Sequence, residues 1–271
     1  MNDFTHELQV ARQVAQEALT LVRDFASRPL QVEHKDGGEP VTAADRAASE
    51  LIVDRLRQAF PADGILSEEL PDDGSRLRRS RVWMIDPIDG TRDFVRGATG
   101  YAVMIGLCLF GRPVLGVVAQ PATGFTWSGV VGQGAWKDHH DGRREVVRPS
   151  DLSQLEGVRI VRSQSRRLPE LDRYHAALGV TDELSIGSVG IKMALVAEGS
   201  RELYIYPGHH LKLWDSCGPE AILVAAGGRV TDIDGRELAY TAALSHPRGI
   251  VASNGPIHDH VLRTLAMLRP N

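Results

Sequence analysis

The chain has 271 residues, 42% of them hydrophobic and 24% charged, enough for one large domain or two modest ones sharing a core, which excludes a disordered chain and a short disulfide scaffold. With 31 basic residues against 35 acidic, the formal net charge is −4, so there is no global basic surface for duplex DNA or anionic lipid. Cys108 and Cys217 lack both metal-ligand spacing and a disulfide pattern, which fits a reducing cytoplasm. The N-terminus is acidic and amphipathic, unlike a secretory leader, and no apolar stretch approaches the roughly 20 residues that span a bilayer.

Leu8, Ala11, Ala15, Ala18, Val22 and Phe25 recur every three or four residues and predict a long first helix ending before Arg28-Pro29. A loop at Lys35-Asp36-Gly37-Gly38-Glu39-Pro40 follows. Thr42 then opens a second helix with Ala48, Leu51, Ile52, Leu56 and Ala59 facing inward, stopped by Pro61 and Gly64. Short apolar runs come next: Ile65-Leu66, Val82 to Ile85, Tyr101 to Phe110, Val114 to Ala119 and Phe125 to Val131. Separated by Gly and Pro turns, they predict a sheet built mainly of hairpins.

After about residue 157 the texture alternates. Strands are predicted at 158–161, 203–206, 229–232 and 250–253, and helices near 168–178, 189–198 and 219–226 and at the C-terminus. The expected organisation is therefore an α+β subdomain over 1–156 and an α/β subdomain over 157–271, in the α/β class overall. No internal repeat or low-complexity linker separates them.

The most informative run is Trp83-Met84-Ile85-Asp86-Pro87-Ile88-Asp89-Gly90-Thr91. An apolar strand delivers Asp86, Pro87 interrupts the ladder, and Gly90 permits a sharp turn. Two carboxylates three residues apart, the Ile88 carbonyl between them and the Thr91 hydroxyl are all oxygen donors, a set that selects a hard cation such as Mg2+. The competing reading is ordinary Asp-Pro and Asp-Gly turn chemistry. Ser67-Glu68-Glu69 and Trp214-Asp215 also place acids at strand ends. Asp215 could be a helix cap and Glu68 a solvated loop acid. If the acids converge, each pair at 4 Å repels by about 4 kcal/mol at an effective dielectric near 20, which bound cations would relieve.

In combination and order, Glu68-Glu69, Asp86-Pro87-Ile88-Asp89-Gly90-Thr91, Trp214-Asp215 and Ala225-Ala226-Gly227-Gly228 resemble the inositol monophosphatase-like, Mg2+-dependent, lithium-sensitive phosphatases. The resemblance runs from the first helix to the last. It implies a layered αβαβα sandwich in which Glu68, Asp86 and the Ile88 carbonyl hold one Mg2+, Asp86, Asp89 and Asp215 a second, and Glu68 borders a weaker third. It further implies that Glu68 and Thr91 hold the attacking water, that Asp45 orients Thr91, and that Gly90 and Thr91 bind phosphate. Thr42-Ala43-Ala44-Asp45 is also a capping-box pattern, so Asp45 carries two compatible readings.

Within that family, inositol monophosphatases carry a polyol-binding glutamate seven residues before the Trp-Asp aspartate. Here that position is Gly208. The runs Ile186 to Lys192 and Trp214 to Leu223, with the Arg92-Asp93 pair, are instead similar to the 3′(2′),5′-bisphosphate nucleotidase branch. This implies that Ser188 and Lys192 contact the sugar and 5′-phosphate. Lys192 also reads as an exposed helix lysine. In Val161-Arg162-Ser163-Gln164-Ser165, Ser163 and Gln164 fall at the base-binding segment, with Gln164 where many nucleotidases have histidine.

The expected function is a cytoplasmic Mg2+-dependent phosphatase, monomer or homodimer, hydrolysing adenosine 3′,5′-bisphosphate to AMP and phosphate. Its partner would be a small phosphate ester, with no duplex nucleic acid and no membrane span. The alternatives are an inositol- or sugar-phosphate phosphatase and, from another class, a non-catalytic metal- or RNA-associated binding protein.

Overall fold

The computed structural model describes residues 3–35, 38–164 and 169–268. Asp36 and Gly37 of the predicted loop, Ser165, and Leu168 at the predicted start of a helix lie outside the described residues. Helices α1 (Thr5–Ala26) and α2 (Ala43–Ala59) flank a small antiparallel ribbon of β1 (Val32–His34) and β2 (Pro40–Thr42). α1 ends where predicted, with Ser27 as its C-cap, and α2 is capped by Thr42.

A seven-stranded sheet follows in simple sequence order: β3 (Gly64–Ser67), β4 (Arg81–Asp89), β5 (Ala102–Leu109), β6 (Arg112–Gln120), β7 (Phe125–Val130), β8 (Gly134–Asp138) and β9 (Arg144–Val146). Only β3 and β4 pair in parallel; the rest are antiparallel neighbours. β8 and β9 are short and half-exposed, with β9 at the sheet edge, so their apolar pattern is weak, and the predicted sheet omitted them. The chain also stays in the ladder beyond Pro87, contrary to the sequence expectation. A register shift between Asp86 and Asp89 accommodates the proline, which has no N–H to give.

The later half forms a second sheet, ordered β11 (Asp182–Ile186), β10 (Arg159–Ser163), β12 (Leu203–Tyr206), β14 (Ile250–Ser253) and β13 (Arg229–Thr231). Its helices are α4 (Pro169–Ala177), α5 (Val189–Ala197), α6 (Leu213–Ala226) and α7 (His258–Met267), with a short α3 (Thr91–Val95) beside the first sheet. The layers are α1 and α2, the seven-stranded sheet, α5 and α6, the five-stranded sheet, then α4 and α7. Ala11, Ala15, Ile52 and Leu56 pack with Trp83, Ile85, Ile105 and Val117 on one face of the first sheet. Met104, Val118, Met193, Cys217, Ile222, Tyr204 and Ile250 share the central cluster. Leu171, Leu203, Val251, Val261 and Leu265 close the outer layer. The arrangement is the αβαβα sandwich that the resemblance implied.

α6 begins at Leu213, six residues before the predicted start, so Pro219 lies inside it and Asp215 in its first turn. The early turns of this helix meet the first sheet through glycine. A Cβ on Gly106 would stand 2.5 Å from the Gly218 nitrogen, and one on Gly218 2.9 Å from the Ile105 carbonyl oxygen. A methyl group on Gly116 would collide with the Gly218 carbonyl. Gly116→Ala should therefore cost more than about 3 kcal/mol, because backbone on both sides must move. Denaturant unfolding with a midpoint unchanged from the parent chain would contradict this packing.

Candidate active site

β4 carries Asp86 and Asp89 to one end of the sheet, and β3 delivers Glu68 and Glu69 just past Ser67 beside it. The Glu68 N–H donates to the Ile85 carbonyl at 3.1 Å, holding the acidic turn against the end of β4. Asp86 is 2% exposed and accepts the Ile88 N–H at 3.1 Å. Gly90 sits at φ 93°, a left-handed turn open to glycine without strain, and starts α3. From the other half of the chain, the first turn of α6 supplies Asp215, whose carboxylate accepts the Lys212 N–H at 2.8 Å. Asp215 thus caps its helix from inside the first turn while belonging to the acidic group.

Electrostatically the acids act on one another. Burial, followed by the charges of Glu68, Asp89 and Asp215, pushes the Asp86 carboxyl well above the ordinary carboxylate range. Asp215 is likewise raised by burial and then by Asp89 and Glu68. Burial raises Glu68, against the opposing pull of Lys35. Asp89 is raised by burial and held back by Lys192 and by hydrogen bonds from Ser188 and Gly190.

This donor set is all oxygen, with the Ile88 carbonyl beside it, and its acids outnumber the cations beside them, Lys35 and Lys192, so its chemistry fits hard divalent cations. Among the described residues no three His, Cys, Asp or Glu side chains are gathered in a metal-holding arrangement. The acids are turned onto protein donors. Lys35 Nζ lies 2.8 Å from Glu68 and 2.5 Å from Glu69, while Asp89 accepts from Ser188 Oγ at 2.6 Å and the Gly190 N–H at 2.9 Å.

Asp45 is brought to Thr91 by α2. One carboxylate oxygen accepts the Thr42 N–H at 2.8 Å and the Thr42 hydroxyl at 2.7 Å. The other faces Thr91 Oγ1 at 3.2 Å, and Thr91 also reaches the Ile88 carbonyl at 3.0 Å. The two readings of Asp45 therefore coexist: it closes the capping box of α2 and faces Thr91. Burial raises its pKa.

Two residues expected at the substrate are placed otherwise. Ser188 is fully buried; its hydroxyl donates to Asp89 and accepts the Ile191 N–H at 3.1 Å as the N-cap of α5. Lys192 is also fully buried, neither on the surface nor open to a phosphate. Its ammonium donates to the carbonyls of Ile186 at 3.2 Å and Gly187 at 2.7 Å and lies 5.2 Å from the Tyr204 ring. The reason is amphipathic length: from the second turn of an apolar helix the stem reaches back to the carbonyls preceding the N-cap. Ser163 is half-buried and Gln164 exposed at the end of β10.

Sequence reasoning gave no role to Asp93. It is buried, accepts the Gly187 N–H at 3.1 Å and, in the satisfied orientation of the amide, the Gln164 side chain at 3.1 and 3.3 Å. It thereby joins α3 to the loop before α5. The Arg92-Asp93 pair was visible, but a long-range partner 94 positions away leaves no local pattern.

The chain matches the inositol monophosphatase family over residues 3–268 and belongs to it. It is 38% identical over 235 residues to the 3′(2′),5′-bisphosphate nucleotidase CysQ of Escherichia coli O157:H7, covering 86% of this chain and 92% of that one. It is 33% identical over 264 residues to a histidinol-phosphatase of Mycobacterium tuberculosis, covering 96% and 97%. An inositol monophosphatase of Anabaena superposes with a TM-score of 0.79 at 26% identity, covering 99% of this chain and 98% of that one. The chain is a phosphomonoesterase.

The raised acids have a sign that can be checked. A carboxyl whose folded pKa lies above its unfolded value stabilises the metal-free protein below the unfolded pKa, and that contribution is lost as pH rises through the folded one. Metal-free protein should lose stability on going from pH 4 toward neutrality, and Asp86→Asn should raise its melting temperature at pH 7 by a few degrees. A lowered melting temperature without metal would contradict the repulsion.

Proposed function

We propose that this chain is a Mg2+-dependent 3′(2′),5′-bisphosphate nucleotidase that releases phosphate from adenosine 3′,5′-bisphosphate. The structural observation carrying this choice over a polyol phosphatase is Gly208, at the position expected for a substrate-binding glutamate. A Cβ there would lie 2.6 Å from the Tyr206 hydroxyl, so an acid at 208 would have to displace the phenol. The similarity to CysQ nucleotidases supports the same reading.

Glu68, Asp86, the Ile88 carbonyl, Asp89 and Asp215 would hold two Mg2+, with a third bordering Glu68. When bound, these ions neutralise phosphate charge, acidify a water and stabilise the leaving oxygen. The chain's own residues do the rest. Gly90 and Thr91 receive the phosphate at the start of α3. The Thr91 hydroxyl directs its hydrogen to Asp45 or to the Ile88 carbonyl, leaving its lone pair to accept from the attacking water. The proton lost by that water passes to Thr91 Oγ1 as Thr91 gives its own to Asp45, whose burial-raised pKa suits it as acceptor. Glu68 orients the same water. Ser188 and Lys192 act behind this surface, on Asp89 and on the 186–187 backbone. Ser163 and Gln164 border the nucleoside.

A second reading, histidinol phosphate as substrate, is favoured by the mycobacterial relative. Steady-state rates on a panel separate the three: kcat/KM should be highest for adenosine 3′,5′-bisphosphate, and faster turnover of histidinol phosphate or inositol 1-phosphate would overturn the assignment. Thr91→Val should lower kcat by about 10²- to 10⁴-fold with little change in KM, while Thr91→Ser retains most of the rate. Equal losses in both variants would remove the hydroxyl from the mechanism.

A further inference from the structure

The first turn of α6 is gripped on the side opposite Asp215. Ser216, the next residue, is fully buried, and its hydroxyl lies 2.8 Å from His246 Nε2. The Tyr240 hydroxyl reaches Ser216 Oγ at 3.0 Å and Glu220 Oε2, one turn further along α6, at 2.6 Å. Tyr240 and His246 are both buried, with their rings edge to face at 5.1 Å. The backbone repeats the same attachment: Leu213 N–H donates to Leu244 at 3.1 Å, His246 N–H donates to Leu211 at 2.8 Å, and Lys212 bridges Ser245. The gripping segment is itself tied to the acidic side of the molecule. Arg76, 3% exposed in the connection between β3 and β4, donates to the carbonyls of Thr241 at 2.6 Å and Ala242 at 3.3 Å.

A helix start held only by backbone bonds can rock. One held by a side-chain chain from a separate segment has a single seat, and groups behind a metal ligand set its orientation. His246 stays neutral here, pushed down to about 4 by burial, so it enters as a hydrogen-bonding group and not as a charge. We propose that Tyr240 and His246, acting through Ser216, are positioning residues that hold Asp215 in the orientation a divalent cation requires. The inference rests on the reading of Asp215 as a cation ligand.

The test is calorimetric titration of the full chain with Mg2+ alone, without substrate, on Tyr240→Phe, Ser216→Ala, their double variant, His246→Gln, His246→Ala and Asp215→Asn. Tyr240→Phe and Ser216→Ala should each weaken Mg2+ binding by about tenfold. The double variant should lose no more than the worse single one, since both break the same chain. His246→Gln, which keeps a hydrogen-bonding end, should lose less than His246→Ala. KM for the phosphate ester at saturating Mg2+ should stay unchanged. Mg2+ affinity equal to the parent's in Tyr240→Phe and Ser216→Ala, with Asp215→Asn weakening binding, overturns the positioning role. So do fully additive losses in the double variant. Unaltered binding in Asp215→Asn overturns the ligand reading itself, and with it this proposal, by a result the other variants do not mimic.

Discussion

Everything at the acidic site depends on one close approach, that of α6 to the middle of the seven-stranded sheet. Gly106, Gly116 and Gly218 bring backbone against backbone where side chains would hold a helix and a sheet farther apart. α6 comes from the second half of the chain, yet it packs on strands of the first, and only at this depth does its first turn meet the end of β4. There the charge of Asp215 raises the Asp86 carboxyl, and the charges of Asp89 and Glu68 raise that of Asp215. The acids repel; packing of the apolar faces of α6 and the sheet holds them together nonetheless.

The second constraint is the seam between the Gly90-Thr91 turn and the loop before α5. Ser188 and Gly190 hold Asp89 from the start of α5, the Ser188 N–H donates to the Gly100 carbonyl at 2.8 Å, and Asp93 receives the Gly187 N–H. Lys192 gathers the same loop from beneath. Under the proposed reading, a phosphate at Gly90 and a nucleoside along residues 163–164 would be presented by parts that these bonds tie together. Proximity of this kind is what in-line displacement requires.

Much of this was legible in the sequence because it is local. The heptad-like spacing of α1, the cap at Thr42, the hairpin strands and the Asp86 to Thr91 turn are all encoded within a few residues of themselves. What the sequence hid is what depends on distant partners. Pro219 marks a helix start in isolation, but α6 starts at Leu213, where residues 244–246 supply partners for its preceding segment. Lys192 reads as a surface or phosphate-binding lysine, because nothing nearby in the sequence reveals that the carbonyls at 186 and 187 fold over it. Asp93 and Tyr240 are ordinary polar residues until Gly187 and Ser216 are placed beside them. The family motifs pointed to Glu68, Asp86, Asp89 and Asp215 from local runs, whereas the partners of individual polar side chains needed coordinates.

The pairing of Gly208 with the Tyr206 phenol bears on how such an enzyme changes over time. An acid at 208 has no room while the phenol stands there, and shortening 206 alone leaves a gap in the wall with no new ligand to fill it. Under the proposed reading, an acid at 208 that could serve a polyol needs a matching change at 206, so a neighbour two positions away in the chain bears on substrate range.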